Sequence, residues 1–361
     1  MKATTAATVT DRELRELITA LLERVGYANA DAALIAEGLV EAELRGITSH
    51  GTLHVANLVK RTQLGLLNTK PNIRALKDAA SSARLDADRA PGFVAAMRAM
   101  DLAIAKAKVT GVGAVAVTNS THYGMGARYA EHAARAGMIG ISLANATATM
   151  PSPGGTLALL GTNPLSFAVP GDGEEAAICL DMGLAQVTLN AVRDAAKHGR
   201  ALPAGVAAAK DGTPTTDPKA ALDGGFLLPF GGHKGFGLAV LVEVLSGVLS
   251  GSAIGREVGS LFVDYDRAQN TGHFLLALDP AHFLEPDDFR AKRDYLVRWI
   301  KDSPRAANAG PALLPGEREY AVRRERARTG IPLAKDTAAD LAKLARELGV
   351  DVPESVAHAA L

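Results

Sequence analysis

A serine and a histidine stand side by side at Ser49 and His50, with Arg45 upstream and His54 four residues beyond His50. An imidazole titrates near neutral pH and can pass a proton to or from an alcohol or an amine, while an adjacent hydroxyl can fix its tautomer or bond a substrate. The alternative is a polar loop at the end of a helix, in which His50 only bonds backbone carbonyls. Taken alone, so short a motif favours the loop, because short motifs match by chance.

A second candidate is NSTHYGMG at residues 119–126, which follows a predicted strand and precedes a predicted helix. Small residues and exposed amides at the start of a helix suit a phosphate or a carboxylate, and His122 adds a hydrogen-bond donor. An ordinary strand-to-helix turn with a capping hydroxyl would have the same sequence. Spacing alone therefore leaves both interpretations open.

A third candidate, GGHKGFG at residues 231–237, is rich in glycine and leads into a long apolar stretch. Glycine lets the backbone approach a ligand closely, and Lys234 supplies a point charge for a phosphate or carboxylate at a helix start. A flexible loop with a solvated lysine explains the segment less well, because its four glycines carry an entropy cost. Turn chemistry is enough to explain residues 161–164 and 313–319.

Several familiar site motifs are absent from the sequence. There is no strand-turn-helix G-x-G-x-x-G and no G-x-x-x-x-G-K-[ST], so a conventional Rossmann site and a P-loop are disfavoured. The histidines lack the spacing of a zinc site, so no metal is expected, and there is no G-x-S-x-G elbow for acyl transfer. The single cysteine, Cys179, stands in an apolar run and is predicted to be a small buried residue rather than a nucleophile.

The charges of the 361 residues cancel, with 39 Lys and Arg against 39 Asp and Glu. That balance predicts neither nucleic acid nor an anionic membrane surface as a partner. The most apolar stretch, residues 236–249, is shorter than the roughly 20 residues of a membrane span and contains Glu243. Because the N-terminal stretch lacks the apolar centre of a secretory signal and the cysteine has no partner, the chain is expected to be cytoplasmic.

The candidate groups must be held in place by the elements around them. Thr10 and Glu13 have the spacing of a capping box and open a predicted amphipathic helix that stops at Gly26. A second helix is predicted over residues 29–44. The polar side chains around Ser49 therefore follow a helix end, where they can point into a cleft.

The middle third of the chain alternates helical and extended patterns. Helices are predicted over residues 92–108 and 128–136, and a further helix over residues 236–249. The short apolar segments predict strands at residues 111–119, 138–144, 165–169 and 177–180. Several of these strands are too close together for helical crossovers, so a mixed or antiparallel sheet is favoured over a parallel one.

Eight segments in series resemble the malate/L-lactate dehydrogenase family, which includes ureidoglycolate and sulfolactate dehydrogenases and piperideine-2-carboxylate reductases. They are SHG (49–51), THYG (121–124), GTNP (161–164), LDM (180–182), DGTPTTDP (211–218), GGHKGFGLAVLVEVLSGVLSG (231–251), GHFLLALDP (272–280) and LPGERE (314–319). Each segment is weak by itself, but eight in this order are hard to produce by accident.

The resemblance implies a cytosolic oxidoreductase that uses NAD or NADP, acts on a small molecule and forms a homodimer. The implied fold is α/β and non-Rossmann, with a mixed and largely antiparallel nucleotide-binding sheet and a helical layer built from both chain ends. We expect an N-terminal helical segment at residues 1–75 that carries the SHG loop and packs with a C-terminal helical segment at residues 290–361. Residues 76–289 would form the α/β region that binds cofactor and substrate.

The resemblance also implies roles for particular residues. His50 would be the catalytic acid/base with Ser49 orienting it, and His122 would lie beside cofactor and substrate or transfer the proton itself. The expected substrate-binding residues are Arg45, His54 and Thr162. The expected cofactor-binding residues are His122, Asp181, Gly232, His233, Lys234, Pro315, Gly316, Glu317 and Arg318.

The sequence departs from the family pattern near the proposed chemistry. Many relatives carry an arginine at the position of His54, and an imidazole is a poorer bidentate anchor for a carboxylate. Residues 183–185 read GLA where relatives often have ATS, and residues 187–189 read VTL where they often have ARG. Apolar Leu184 and Leu189 would favour a bulkier or less anionic substrate than malate.

The leading hypothesis is hydride transfer between nicotinamide and the α-carbon of a small 2-hydroxy or 2-oxo acid. One alternative is reduction of the C=N bond of a cyclic or N-alkyl imino acid. The other is a dinucleotide-binding homologue whose activity is altered or lost, as the changes at His54 and residues 183–188 suggest.

Overall fold

The computed structural model describes residues 8–361, which form helices, short strands and connecting turns. The helices are α1 Asp11–Arg24, α2 Asn29–Leu44, α3 Val55–Gln63, α4 Gly92–Thr110, α5 Ala127–Arg135, α6 Leu189–Lys197, α7 Pro218–Leu222, α8 His233–Glu243, α9 Pro286–Lys301, α10 Glu317–Thr329, α11 Lys335–Leu348 and α12 Glu354–Ala359. The strands are β1 Thr8–Val9, β2 Arg74–Asp78, β3 Ser82–Asp86, β4 Val112–Ser120, β5 Ile139–Ala144, β6 Leu165–Val169, β7 Ile178–Met182, β8 Ala207–Ala208, β9 Pro214–Thr215, β10 Phe226–Leu227, β11 Thr271–Leu278 and β12 Ile331–Pro332.

The central sheet has seven strands in the order β2-β3-β4-β11-β5-β6-β7. Only β3 and β4 run parallel, and every other neighbouring pair is antiparallel. This confirms the mixed, largely antiparallel and non-Rossmann sheet. β11 lies between β4 and β5 and pairs Thr271 with Ser120, so the loop before β11 meets the turn that follows β4.

Helices α4 and α5 pack against this sheet through a surface of small side chains. The core between α4 and the sheet contains Ala99, Ala103 and Ala107 beside Val115 and Leu275. Small side chains let a helix approach a sheet closely, and a Cβ on Gly113 would lie only 1.8 Å from the Ala103 carbonyl oxygen. The close approach therefore fixes the position of β4, which leads directly to His122.

A helical layer is built from both chain ends, and the SHG loop follows its helix α2. Its core joins Leu21 of α1 and Leu39 of α2 to Leu341 of α11 and Val356 of α12. β1 and β12 pair alongside it. The capping box of Thr10 and Glu13 is confirmed, and α2 spans the predicted residues.

The ends of α4 and α5 differ from the prediction by one or two residues, and the largest difference at a helix start is that of α8. α8 begins at His233, three residues before the predicted start, and continues into a π-helical turn, Val244–Val248. The glycine-rich segment therefore supplies the first turn of α8 rather than only the loop before it. No helix within residues 8–361 is both long and apolar enough to cross a membrane.

Candidate active site

The SHG turn is tied to the last turn of α2. The Glu43 carboxylate accepts hydrogen bonds from the Thr52 backbone N–H at 2.9 Å and from its hydroxyl at 2.8 Å. Gly51 lies against the same carboxylate, where a Cβ would be 2.2 Å from Oε1. Burial raises the pKa of Glu43, and the bonds from Thr52 oppose that shift. At residue 51 a larger side chain would collide with the Glu43 carboxylate, so the requirement for glycine there is steric.

Arg45, at the end of α2, belongs to a largely buried group that we call the Arg45 network: Arg45, Glu41, Glu131, Tyr320 and the partly exposed Arg323. Its guanidinium donates two bonds of 2.6 Å to Glu131 and one of 2.8 Å to Glu41. Burial alone would lower the pKa of Arg45, but Glu131 and Glu41 raise it above its ordinary value. Its donors therefore face carboxylates, and contact with a substrate would require the network to open.

His50 is oriented by its neighbour. The Ser49 hydroxyl lies 2.8 Å from His50 Nδ1, and no side chain of residues 8–361 bonds Nε2. Burial lowers the pKa of His50, and the Asp181 carboxylate partly opposes that shift. The imidazole is therefore neutral at neutral pH and has one nitrogen available to a ligand.

Two cavities meet at His50. The first, here called the aspartate cavity, has a volume of about 220 Å³ and includes Asp181, Gly126 and Gly183 in its wall. The second, here called the imidazole cavity, has a volume of about 160 Å³ and includes His54 and His122. Four residues line both cavities: Ser49, His50, Thr162 and Thr188. A more open cleft of about 640 Å³ beside α9 contains no histidine.

The imidazole cavity brings three histidine rings together. The ring centroids are 5.7 Å apart for His50 and His122, and 4.8 Å apart for His54 and His122. Burial lowers the pKa of His54 to about 4 and that of His122 well below its ordinary value. His54 Nε2–H donates to the Ser49 carbonyl at 2.8 Å, and its buried Nδ1 has no partner within the described chain. The cluster therefore carries little positive charge at neutral pH.

His122 reaches this cavity because β4 and β11 are paired. Its backbone N–H donates to the Gln269 side-chain oxygen at 2.9 Å, just before β11 begins. The neighbouring Thr121 hydroxyl accepts from the Gly92 N–H at 3.1 Å, which ties the turn to α4. The turn is thus held from two sides.

Asp181 joins β7 to the start of α5. One carboxylate oxygen accepts from the Ala127 N–H at 2.9 Å and the other from the Ser166 hydroxyl at 2.6 Å. Burial raises the pKa of Asp181, whereas these two bonds and His50 oppose the shift. A Cβ on Gly126 would lie 2.2 Å from the Ser166 hydroxyl oxygen, so only glycine fits beside this pair.

The predicted cofactor segments attach to the walls of the aspartate cavity rather than lining it. The Phe230 N–H donates to the Leu184 carbonyl at 3.0 Å, immediately before Gly231 and Gly232. Both glycines have positive φ and no atom within 4 Å of a built Cβ, and His233 and Lys234 are exposed at the start of α8.

The second segment reaches the same cavity wall through β7. The Cys179 N–H donates to the Pro315 carbonyl at 2.9 Å, two residues before Asp181 on that strand. At Gly316 φ is +94°, and a Cβ would lie 2.9 Å from the Cys179 carbonyl oxygen. Glu317 accepts from the Leu314 N–H at 3.0 Å, and Arg318 is exposed and pairs with Glu319. The open glycine backbone and uncapped start of α8 fit a dinucleotide, whose phosphates suit backbone N–H groups.

The prediction that Leu184 shapes the substrate pocket is wrong. This side chain is fully buried in a core cluster that includes Met150 and Val192, because its backbone pairs with residues on both sides of it. Leu189 does line the imidazole cavity.

Several residues of the imidazole cavity belong to no motif and were missed in the sequence, among them Arg193, Phe262 and Gln269. Arg193 lies one turn of α6 beyond Leu189, so helical spacing from that residue is the one signal that could have found it. Phe262 and Gln269 reach the cavity only through the path of the loop before β11.

The chain resembles known dehydrogenases over nearly its whole length. The malate/L-lactate dehydrogenase family profile matches residues 9–342. The chain is 35% identical to malate/(S)-sulfolactate dehydrogenase of Methanothermus fervidus over 95% of this chain and 99% of that protein. It is 36% identical to ureidoglycolate dehydrogenase (NAD⁺) of Escherichia coli K12, over 90% and 91%. It is 35% identical to (2R)-3-sulfolactate dehydrogenase (NADP⁺) of Chromohalobacter salexigens, over 87% and 91%.

Solved structures show the same likeness. Sulfolactate dehydrogenase from Methanocaldococcus jannaschii superposes with a TM-score of 0.89 at 35% identity, covering 96% of this chain and 98% of that one. Δ1-Piperideine-2-carboxylate reductase from Pseudomonas syringae superposes with a TM-score of 0.83 at 29% identity, covering 93% and 99%.

Proposed function

Since the chain belongs to the malate/L-lactate dehydrogenase family, we propose that it is an NAD(P)-dependent enzyme that transfers a hydride between nicotinamide and the α-carbon of a small 2-hydroxy or 2-oxo acid. The observation that carries this proposal is the position of His50 at the junction of two cavities. One cavity has glycine-rich segments attached to its walls, and the other is small and lined by side chains that can contact an acid. A proton donor between them is what this redox reaction requires.

His50 would act as the acid/base. When bound, the cofactor supplies or accepts the hydride, and the protein must handle the proton on the substrate oxygen. The neutral imidazole can accept that proton through Nε2 as a hydroxyl is oxidised and return it in the reverse direction. Ser49 holds Nδ1 and so keeps Nε2 directed to the ligand. His122, whose ring lies 5.7 Å away, is retained as a second candidate for the proton transfer.

We assign cofactor binding to the segments on the walls of the aspartate cavity. Lys234 would pair with a phosphate beside the uncapped start of α8, since a helix start and a cation both favour an anion. Asp181, together with the turn from Pro315 to Arg318, would hold the dinucleotide from the β7 side. Gly232, His233 and His122 complete this assignment, and Thr162 would contact the substrate where the two cavities meet.

Reduction of an imino acid is the second candidate. It is supported by the likeness to a piperideine-2-carboxylate reductase and by the apolar side chains of Leu189, Leu261 and Phe262 in the imidazole cavity. A wall of apolar side chains suits an uncharged ring or alkyl group better than a second anionic group.

One assay tests both candidates. Oxidation of NADH and NADPH is followed with pyruvate, oxaloacetate and other 2-oxo acids, each with and without methylamine. Turnover of an oxo acid alone supports the first candidate, and turnover that requires the amine supports the second. Binding of NADH without oxidation by any of these compounds contradicts both and favours a dinucleotide-binding homologue without dehydrogenase activity.

We also propose that the chain forms a homodimer and works in the cytoplasm. Exposed apolar side chains on α8 and the turn after it support association, including Leu241 at 46% and Val248 at 58% exposure. The lone cysteine, buried and free, is consistent with a reducing compartment. Light scattering of the purified protein tests the dimer, and a single monomer mass contradicts it.

A further inference from the structure

Arg193 differs from every other side chain that lines the imidazole cavity. Among the described residues of that wall, it is the only lysine or arginine, and no aspartate or glutamate is present. Its position on α6 places a permanent positive charge in a small cavity whose other polar groups are hydroxyls, amides and neutral imidazoles.

The guanidinium of Arg193 has no carboxylate partner within residues 8–361. Its Cζ lies 4.8 Å from the centre of the Phe262 ring, and its Nη1 is a long 3.4 Å from the neutral Asn190 oxygen. By contrast, Arg45 bonds Glu131 and Glu41, and Arg200 pairs with Asp194. A partly buried cation with no counter-ion loses hydration without gaining a pair, so an anion in the cavity would be stabilised.

Among the other basic side chains near the cavity, Arg61 has a buried Nε–H without a partner in the described chain, but both of its Nη groups bond backbone carbonyls. Arg61, on α3, donates to the backbone carbonyls of Leu261 and Asp264 and so holds the loop that carries Phe262. Arg45 is held in the Arg45 network, and His54 donates through Nε2 to the Ser49 carbonyl. Arg193 alone presents a guanidinium fork to the cavity, and that fork matches the geometry of a carboxylate.

We propose that Arg193 binds the substrate carboxylate, and that one cation in the cavity selects a 2-oxo or 2-imino acid with an uncharged side chain over a dicarboxylic one. This inference rests on the proposed function and names its substrate class. A second carboxylate would be buried beside Leu189, Leu261 and Phe262 with no cation to pair it. The platform formed by Phe262 holds the guanidinium without neutralising it.

The binding test uses oxamate, a non-reducible anion of the size of pyruvate, titrated by calorimetry into the protein saturated with NADH. R193Q should weaken oxamate binding about 10- to 100-fold, as expected for the loss of a charge-assisted pair, and leave NADH affinity within about twofold. R193K, which keeps the charge without the fork, should recover part of the loss. The matched control is R200Q, an exposed arginine just beyond α6, and it should bind oxamate like the parent.

The activity test compares pyruvate with its uncharged amide, pyruvamide. R193Q should lower kcat/KM for pyruvate about 10- to 100-fold and that for pyruvamide by less than about threefold, because only the acid loses a charge pair. The parent should prefer pyruvate to oxaloacetate. Thermal melting of each variant shows whether it is folded. If R193Q does not fold, the parent is compared with R193K instead.

Each result points one way. Equal oxamate affinity in R193Q and the parent, or an equal loss of NADH affinity, overturns the inference, and preference for oxaloacetate overturns the substrate class. If the parent is active and R193Q has the same kcat/KM for pyruvate, the redox proposal stands and the role of Arg193 is contradicted. If the parent has no turnover but binds oxamate more tightly than R193Q does, the anion site stands. The redox proposal is then contradicted.

Discussion

The Arg45 network and the imidazole cavity differ in how their polar side chains are paired. In the network, Arg45 bonds two carboxylates, and Tyr320 donates to Glu131 at 2.7 Å. In the cavity, Arg193 has no carboxylate partner among the described residues, and His54 Nδ1 has no bond at all. Fully paired buried charges hold a structure together, whereas unpaired groups at a cavity are available to a ligand. The Arg45 network therefore acts as a scaffold, and the imidazole cavity as a site.

Removing the proposed acid/base should have the largest effect on the cavity. His50→Ala should lower kcat about 10²- to 10⁴-fold, the usual contribution of a positioned proton donor, while NADH affinity changes little. Steady-state rates and cofactor fluorescence titration measure the two effects. His122→Ala is the companion variant, and a larger loss of kcat there would move the proton transfer to His122. Equal loss of turnover and NADH affinity in His50→Ala would contradict the assignment.

Breaking the network should affect stability instead of chemistry. Glu131→Ala leaves Arg45 buried with fewer partners and should lower the free energy of unfolding by about 3–5 kcal/mol. Urea unfolding measures this change. The control is Glu175→Ala, which removes a surface pair with Arg324 and should cost about 1 kcal/mol or less. If Glu131→Ala unfolds like the control, the network is not the scaffold described here.

The two regions should also respond to acid at different pH. Burial lowers the pKa of His54 from 6.5 to about 4. As the pH drops, His54 is therefore protonated in the unfolded chain before it is in the folded protein, and the free energy of unfolding falls between pH 6.5 and pH 4. Burial would raise the pKa of Glu131, but Arg45 lowers it overall. The stability that Glu131 contributes is therefore present above its unfolded value of 4.5 and is lost as pH falls through the lowered value.

Replacing His54 isolates the first of these responses. His54→Gln should reduce the stability lost between pH 7 and pH 4.5 by about 2 kcal/mol, given 1.36 kcal/mol for each unit of pKa shift. Urea unfolding at both pH values gives the difference. An unchanged loss in this variant would mean that His54 can take up its proton in the folded protein.

The smallest effect is expected at the ring beside Arg193. Phe262→Leu removes a cation–π contact worth about 0.5–1 kcal/mol, so KM for the acid substrate should rise about two- to fivefold with kcat nearly unchanged. Phe283→Leu, at an exposed ring in the turn after β11, is the control and should leave both constants as they are. A large fall in kcat for Phe262→Leu would instead indicate that the ring positions the reacting groups.

Much of the framework could be predicted from neighbouring residues. The capping box of Thr10 and Glu13 starts α1, and the contact of Ser49 with His50 joins adjacent residues. The apolar segments predicted four of the seven strands of the main sheet, β4 to β7, to within about two residues, because burial pattern and turn residues act over a few positions. The proximity of His50 and His122 followed only from a resemblance to known proteins, since no local pattern joins two loops 72 positions apart.

Local sequence patterns were enough to predict the starts of α1, α2 and α4, four strands of the main sheet and the absence of Rossmann and P-loop motifs. Only the tertiary structure decided that Arg45 pairs with Glu131, 86 residues away, and that Arg193 meets the Phe262 ring and no carboxylate within residues 8–361. The tertiary structure also buries Leu184 in the core, whereas Leu189, five positions later, lines the imidazole cavity. The physical reason is one of range: backbone preferences and capping depend on near neighbours, whereas the pairing of a buried charge depends on which distant segments pack around it.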